Sequence, residues 1–230
     1  MRDVELPGDP PIRVTLRRSG RAKRYGLRVS RLDGRVTLTV PSRGSERAAL
    51  AFLREKELWV RDQVAQLVTA QSVEIGDRIP LEGRPARLVR TEARRGGLVG
   101  DFIEVPERVA APGAYVAGLL KAEARERLTE ASLDYAAQVG RQVSGITLKD
   151  TRSRWGSCSS AGRLMYSWRL IMAPPEVLDY VAAHEVSHLV EMNHSAAYWQ
   201  VVAEICPDYA RHRAWLRQEG AGLHRYRFKD

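Results

Sequence analysis

Three of the chain's five histidines, His184, His188 and His194, fall within a stretch of eleven residues. The first two frame the segment His184-Glu185-Val186-Ser187-His188. On a helix, residues four apart share a face, so these two imidazoles can be aimed at one ion. Glu185 then lies beside the ion and not on it. There its carboxylate can take a proton from a water whose pKa the metal has lowered. The pattern is that of metal-assisted hydrolysis, with Glu185 as the general base. A five-residue pattern with three fixed positions also arises by chance. Here it falls on a predicted helix, its flanks are apolar, and buried histidines need a partner.

The third ligand is expected to be His194, because a catalytic zinc usually takes three protein ligands and leaves one position open. The helix need only continue about one turn past His188. Asn193, which tolerates the left-handed conformation, can then turn the chain back. Glu191 and Glu204 are rival third ligands, the first near the same face and the second on the next predicted helix. Cys158 is a weaker candidate, since three histidines already suffice. Three imidazoles favour Zn2+. His212 and His224 read as surface or cap residues.

The elements that must hold this site read as follows. Ile12–Arg18, Tyr25–Arg31 and Arg35–Val40 alternate apolar and polar residues, the strand period. Asp33-Gly34 between the last two is a hairpin signal. After Pro41, with Ser42 or Ser45 as cap, one helix is expected to carry Ala49, Phe52, Leu53, Trp59, Val60, Val64 and Leu67. Residues 73–105 suggest a small antiparallel unit with turns at Gly76-Asp77, Glu82-Gly83 and Gly96-Gly97. A long helix follows from about Pro112 to Val139, with Val116, Leu119, Leu120, Leu128, Leu133 and Ala137 as its apolar positions and Gly140 as its stop. Ile146–Arg152 and Arg163–Met172 are strand-like. Pro174-Pro175 opens the helix bearing the first two histidines. Ser195 caps another, and Pro207 begins the last.

At 230 residues the chain can bury a proper core. With 44% hydrophobic and 28% charged residues it is ordinary for a globular protein. Disorder is expected only in the first ten or so residues, where Pro7, Pro10 and Pro11 crowd together. Two cysteines are too few for a disulfide framework. Met1 to Pro11 has no apolar stretch of the signal-peptide kind, and no run approaches membrane-spanning length, so a cytoplasmic protein without a membrane partner is expected. The net charge of +9 comes almost entirely from arginine. It fits either a polyanionic partner or the arginine bias of a GC-rich genome, and the scattering of the arginines favours the second.

Further motifs carry a resemblance. Arg154-Trp155-Gly156-Ser157-Cys158, Trp168-Arg169-Leu170, Pro174, the histidine segment with Leu189, Asn193-His194-Ser195 and Trp199 together resemble the YgjP-like metal-dependent hydrolases, a bacterial group of zinc metallopeptidases. So do Tyr25-Gly26-Leu27-Arg28-Val29-Ser30 and Val40-Pro41. The resemblance runs from about residue 12 to 225. Ser167 departs from it, where an asparagine is expected. The group is similar to SprT-like and WLM zincin proteases, which act on protein crosslinked to DNA. The resemblance implies His184, His188 and His194 as ligands and Glu185 as catalytic. Metzincins share the histidine spacing but carry a glycine where this chain has Glu191, so the turn must differ.

The expected fold class is α+β: an N-terminal antiparallel β unit, then a zincin-like metallopeptidase domain with an active-site helix. The expected boundaries are 1–106, β-rich with one helix at about 45–69, and 107–230, catalytic, unless the two form one integrated domain. The leading activity is peptide-bond hydrolysis by a zinc metallopeptidase. One alternative is a metal-dependent nucleotide pyrophosphatase or phosphohydrolase using Arg152, Arg154, Arg163 and Arg169. Another is a nucleic-acid-associated protease or binding protein. Arg152, Arg154, Tyr198 and Tyr226 are candidates to stabilise an oxyanion. Arg163–Met172 is the candidate strand edge for an extended substrate. Trp155 and Trp168 read as core residues. The sequence leaves the oligomeric state open.

Overall fold

The computed structural model describes residues 2–8, 10–30, 34–65 and 71–228. Despite its charges and prolines, the N-terminus forms a strand, β1 (Arg2–Leu6), antiparallel to β2 (Ile12–Ser19). The expectation of disorder there is corrected: Leu6 is buried, and the ladder supplies the backbone partners that composition alone hides. Next come β3 (Gly26–Val29) and β4 (Val36–Pro41), which pair antiparallel. Asp33 and Arg31 lie outside the described residues. The sheet order is β1-β2-β4-β3, and β2 pairs with β4 in parallel, so this sheet is mixed and not wholly antiparallel.

Ser45 caps α1 (Glu46–Glu55), its side chain accepting from the Ala48 amide. The single helix expected here is two, because α1 ends at Lys56 and α2 (Glu57–Ala65) starts afresh. Ala49, Leu53 and Val60 pack on the strands' buried face, whereas Trp59 stays 45% exposed. Leu67 lies outside the described residues.

The chain divides into two compact units, Met1–Thr69 and Ala70–Asp230. The boundary expected at 106/107 falls inside the second. That unit opens with β5 (Gln71–Ser72), β6 (Arg78–Leu81), β7 (Arg84–Thr91), β8 (Leu98–Val99) and β9 (Phe102–Pro106). Its four-stranded sheet runs β6-β7-β9-β8, with β7 and β9 parallel, so it too departs from the antiparallel expectation. The β6–β7 hairpin turns on Glu82-Gly83, both with positive φ, 48° and 75°. Two such residues suit the twist of a two-residue hairpin.

α3 (Pro112–Gln138) is the spine of the second unit. It buries Val116, Leu120, Ala124, Leu128, Ser132 and Ala136, one residue every fourth. Leu133 is 53% exposed and Ala137 lies off the stripe. Ser132, polar on a buried stripe, is satisfied by Leu128 O and Tyr166 Oη at 2.6 and 2.9 Å. Gly140, at φ 63°, ends the helix.

β10 (Gly145–Lys149), β11 (Gly156–Cys158) and β12 (Arg163–Ser167) form a sheet of order β10-β12-β11. The strand expected over Arg163–Met172 stops at Ser167 and continues as a 3-10 turn, Trp168–Met172, that is buried throughout. Then come α4 (Pro175–Ser187), α5 (Ala196–Ile205), α6 (Tyr209–Gln218) and β13 (Tyr226–Arg227), which pairs with β5. Arg169, only 7% exposed, holds Asp150 with Nε and Nη2 and the carbonyls of Leu223 and Tyr226 with Nη1. It thereby ties the C-terminal strand segment to the 3-10 turn. Among the described residues no helix is long and apolar enough to cross a membrane.

The stripe on α3 sets a contrast in stability. Leu120→Ala removes a wholly buried side chain and should cost about 2–5 kcal/mol, while Leu133→Ala should stay within about 0.5 kcal/mol. Denaturant unfolding of the two variants checks this.

Candidate metal centre

Position begins with the start of α4. The amides of Glu82 and Gly83 donate to the carbonyls of Ile171 and Met172, and Pro174 packs against Gly83, where a Cβ would sit 3.0 Å from Pro174 Cα. The hairpin thus fixes where the helix begins. Val177, Leu178, Val181, Ala182 and Val186 bury its other face, which turns His184 and His188 toward a common space.

The helix ends at Ser187 with His188 as cap residue, and a tightened turn follows, Leu189 N donating to Val186 O and Val190 N to Ser187 O. Glu82 is the only non-glycine residue with positive φ among the described residues, so Asn193 does not adopt the left-handed conformation expected of it. Its side chain makes the turn instead: Oδ1 accepts from Ser195 N at 2.8 Å and Nδ2 donates to the Glu191 carboxylate. Ser195 then caps α5 through Tyr198 N.

The result is a cluster. Ligand-capable atoms of His184, His188 and His194 all lie within 4.8 Å of one another. The Nε2 atoms of His184 and His194 face each other at 3.3 Å. His188 Nδ1 lies 3.1 Å from Glu191 O; a carbonyl only accepts, so Nδ1 carries the hydrogen and Nε2 keeps its lone pair. Burial, with the neighbouring imidazoles second, pushes His184 down to about 3 and also lowers His188. Imidazole nitrogens that converge on one space are what a divalent cation requires, so these residues fit one. His184 Nδ1 is buried without a hydrogen-bond partner, and its ring is held by packing. Tyr198 lies under the site, wholly buried, its hydroxyl donating to His184 O at 2.8 Å and its ring stacked 4.5 Å from His188. Trp199 flanks His184 and His194 at 5.8 and 5.9 Å.

Glu185 is buried beside this cluster, and burial pushes its carboxyl up to about 8 against the opposing charge of Arg154. Gly156 on β11 explains its placement. A Cβ there would lie 2.4 Å from Glu185 Oε1 and 2.6 Å from its Cγ. The glycine is a contact surface for the carboxylate. Sequence carried no signal for this, since only the fold brings β11 against α4.

The other candidates separate. Glu191 serves through its carbonyl and holds Asn193, Glu204 is exposed on α5, and Cys158 does not join the histidines. Burial, then the Glu185 charge, pushes the Cys158 thiol up to about 11. The Tyr198 hydroxyl is engaged, and Arg152, Arg169 and Tyr226 line a different cavity. Of the four oxyanion candidates, Arg154 is the one whose charge acts on Glu185. Strand β12 is paired on both sides, so the free edge of this sheet beside α4 belongs to β11. His224, read as a surface or cap residue, is half-buried at the end of the 3-10 turn Gly220–His224, its ring tilted 5.2 Å from Trp155.

The model of the YgjP-like metallopeptidase domain matches residues 23–219 of the 230. The chain belongs to this family. Membership makes it a metal-dependent hydrolase of the peptidase type, and a metallopeptidase carries a metal ion. Searches of curated proteins and of solved structures gave no match.

Substituting Gly156 with alanine should displace Glu185 and leave the histidines in place. The variant is expected to retain its metal and fold while hydrolysis falls at least about tenfold, a loss of about 1.4 kcal/mol in transition-state stabilisation. Metal analysis beside a turnover assay checks it.

Proposed function

We propose that this chain is a zinc peptidase in which His184, His188 and His194 hold the ion and Glu185 is the general base. The observation that carries the reading is the convergence of three imidazoles beside one buried carboxyl group. A divalent ion held there supplies a Lewis acid that acidifies water and polarises the scissile carbonyl.

The chain's own residues do the rest. Glu185, confined by Gly156, accepts the proton from the attacking water and delivers it to the leaving amine. The unpaired edge of β11 offers backbone donors and acceptors to an extended peptide beside that carboxylate. Arg154 supplies positive charge near the reacting centre. Val190 and Met192, 40% and 53% exposed in the turn between the second and third histidines, give the rim an apolar contact for a substrate side chain. The substrate is therefore an unfolded or locally extended polypeptide, met in the cytoplasm.

Glu185→Gln keeps the shape and removes the base. It should retain zinc and lose about 10²-fold or more in the release of new amino termini from an unfolded protein substrate. Undiminished turnover in that variant would refute the role of Glu185. A zinc-loaded wild type that cleaves none of a panel of unfolded proteins would refute the peptidase reading itself.

A further inference from the structure

A second concave site lies apart from the histidines. It is a cavity of about 410 Å³ between α3, the 3-10 turn and the C-terminal strand, and none of the three histidines or Glu185 lines it. Four cationic side chains do, Lys121, Arg152, Arg169 and Arg227, against a single carboxylate, Asp150. That carboxylate is already spent: Arg169 holds its two oxygens at 2.7 and 3.2 Å. Lys121, Arg152 and Arg227 are exposed and make no ion pair among the described residues.

Like charges gathered round a hollow repel one another, and low-dielectric walls strengthen the field they produce. Trp168, 2% exposed, and His224 also line the cavity, and among the described residues the buried atoms Trp168 Nε1, a donor, and His224 Nδ1 have no hydrogen-bond partner. Folded proteins rarely leave such groups unpaired. The volume falls in the range of small-molecule sites, roughly 300–1,000 Å³.

We propose that this cavity binds a small dianion, carrying a phosphate group or a pair of carboxylates. Guanidinium forks match both groups, and Arg152 and Arg227 are free to close on one. The site is independent of the peptidase reading. A chain of contacts joins its wall to Glu185: the His224 ring lies 5.2 Å from that of Trp155, whose neighbour Gly156 faces the Glu185 carboxyl group.

The test is calorimetric titration of the full-length protein with inorganic phosphate and, separately, with succinate. At least one should bind saturably, and which one does identifies the phosphate or the carboxylate source. The double variant Arg152→Gln, Arg227→Gln should bind at least ten times more weakly with an unchanged melting temperature, since both side chains are exposed. His194→Ala should bind as the wild type does. The proposal is overturned if neither anion binds saturably. It is also overturned if the double variant loses less than tenfold, or if His194→Ala abolishes binding, which would put the anion at the histidines.

Discussion

Three imidazoles crowd one space just past the end of α4. Burial and mutual repulsion hold His184 far below the usual histidine range and lower His188 as well. The same condition leaves lone pairs converging on a space that suits a cation. Much of the second unit serves this arrangement. The Glu82-Gly83 hairpin fixes the start of α4, the Ser187 terminus lets the chain tighten, and Asn193 and Ser195 return His194. Tyr198 joins the two helices by bonding His184 O and lying under the His188 ring.

The carboxylate is held by a different device. Glu185 packs against the bare face of Gly156, and a Cβ there would occupy the carboxylate's place. An edge strand therefore meets α4 closely enough to confine Glu185, and its other side is unpaired in the sheet.

How much of this was legible in the sequence varies with the range of the interaction. Local signals read well: the α3 span, the Ser45 and Ser195 caps, the proline start of α4 and the histidine spacing all depend on neighbours within a turn or two. Partnership across a hairpin read well, since the runs flanking Asp33-Gly34 pair antiparallel as β3 and β4, but the parallel partnerships did not. β2 with β4, and β7 with β9, run parallel because intervening segments cross over, and alternation along a strand does not encode its partner. The edge was assigned to β12 because it precedes the metal helix in sequence, whereas β11, folded back on it, occupies the edge in space. Leu133 and Ala137 fit a broad apolar stripe by type, yet the packed face repeats every fourth residue and leaves them outside. Gly156 and His224 were legible only as residue types; their roles arise from contacts across 29 and 69 positions, with Glu185 and Trp155.

The central claim is that the three histidines form one metal site. Metal analysis of the protein as purified, in the wild type, His194→Ala and Glu204→Ala, tests it most directly. About one zinc per chain is expected in the wild type and in Glu204→Ala, and little in His194→Ala. A wild type that takes up no metal when zinc is offered, or a His194→Ala variant that binds zinc as fully as the wild type, would contradict it.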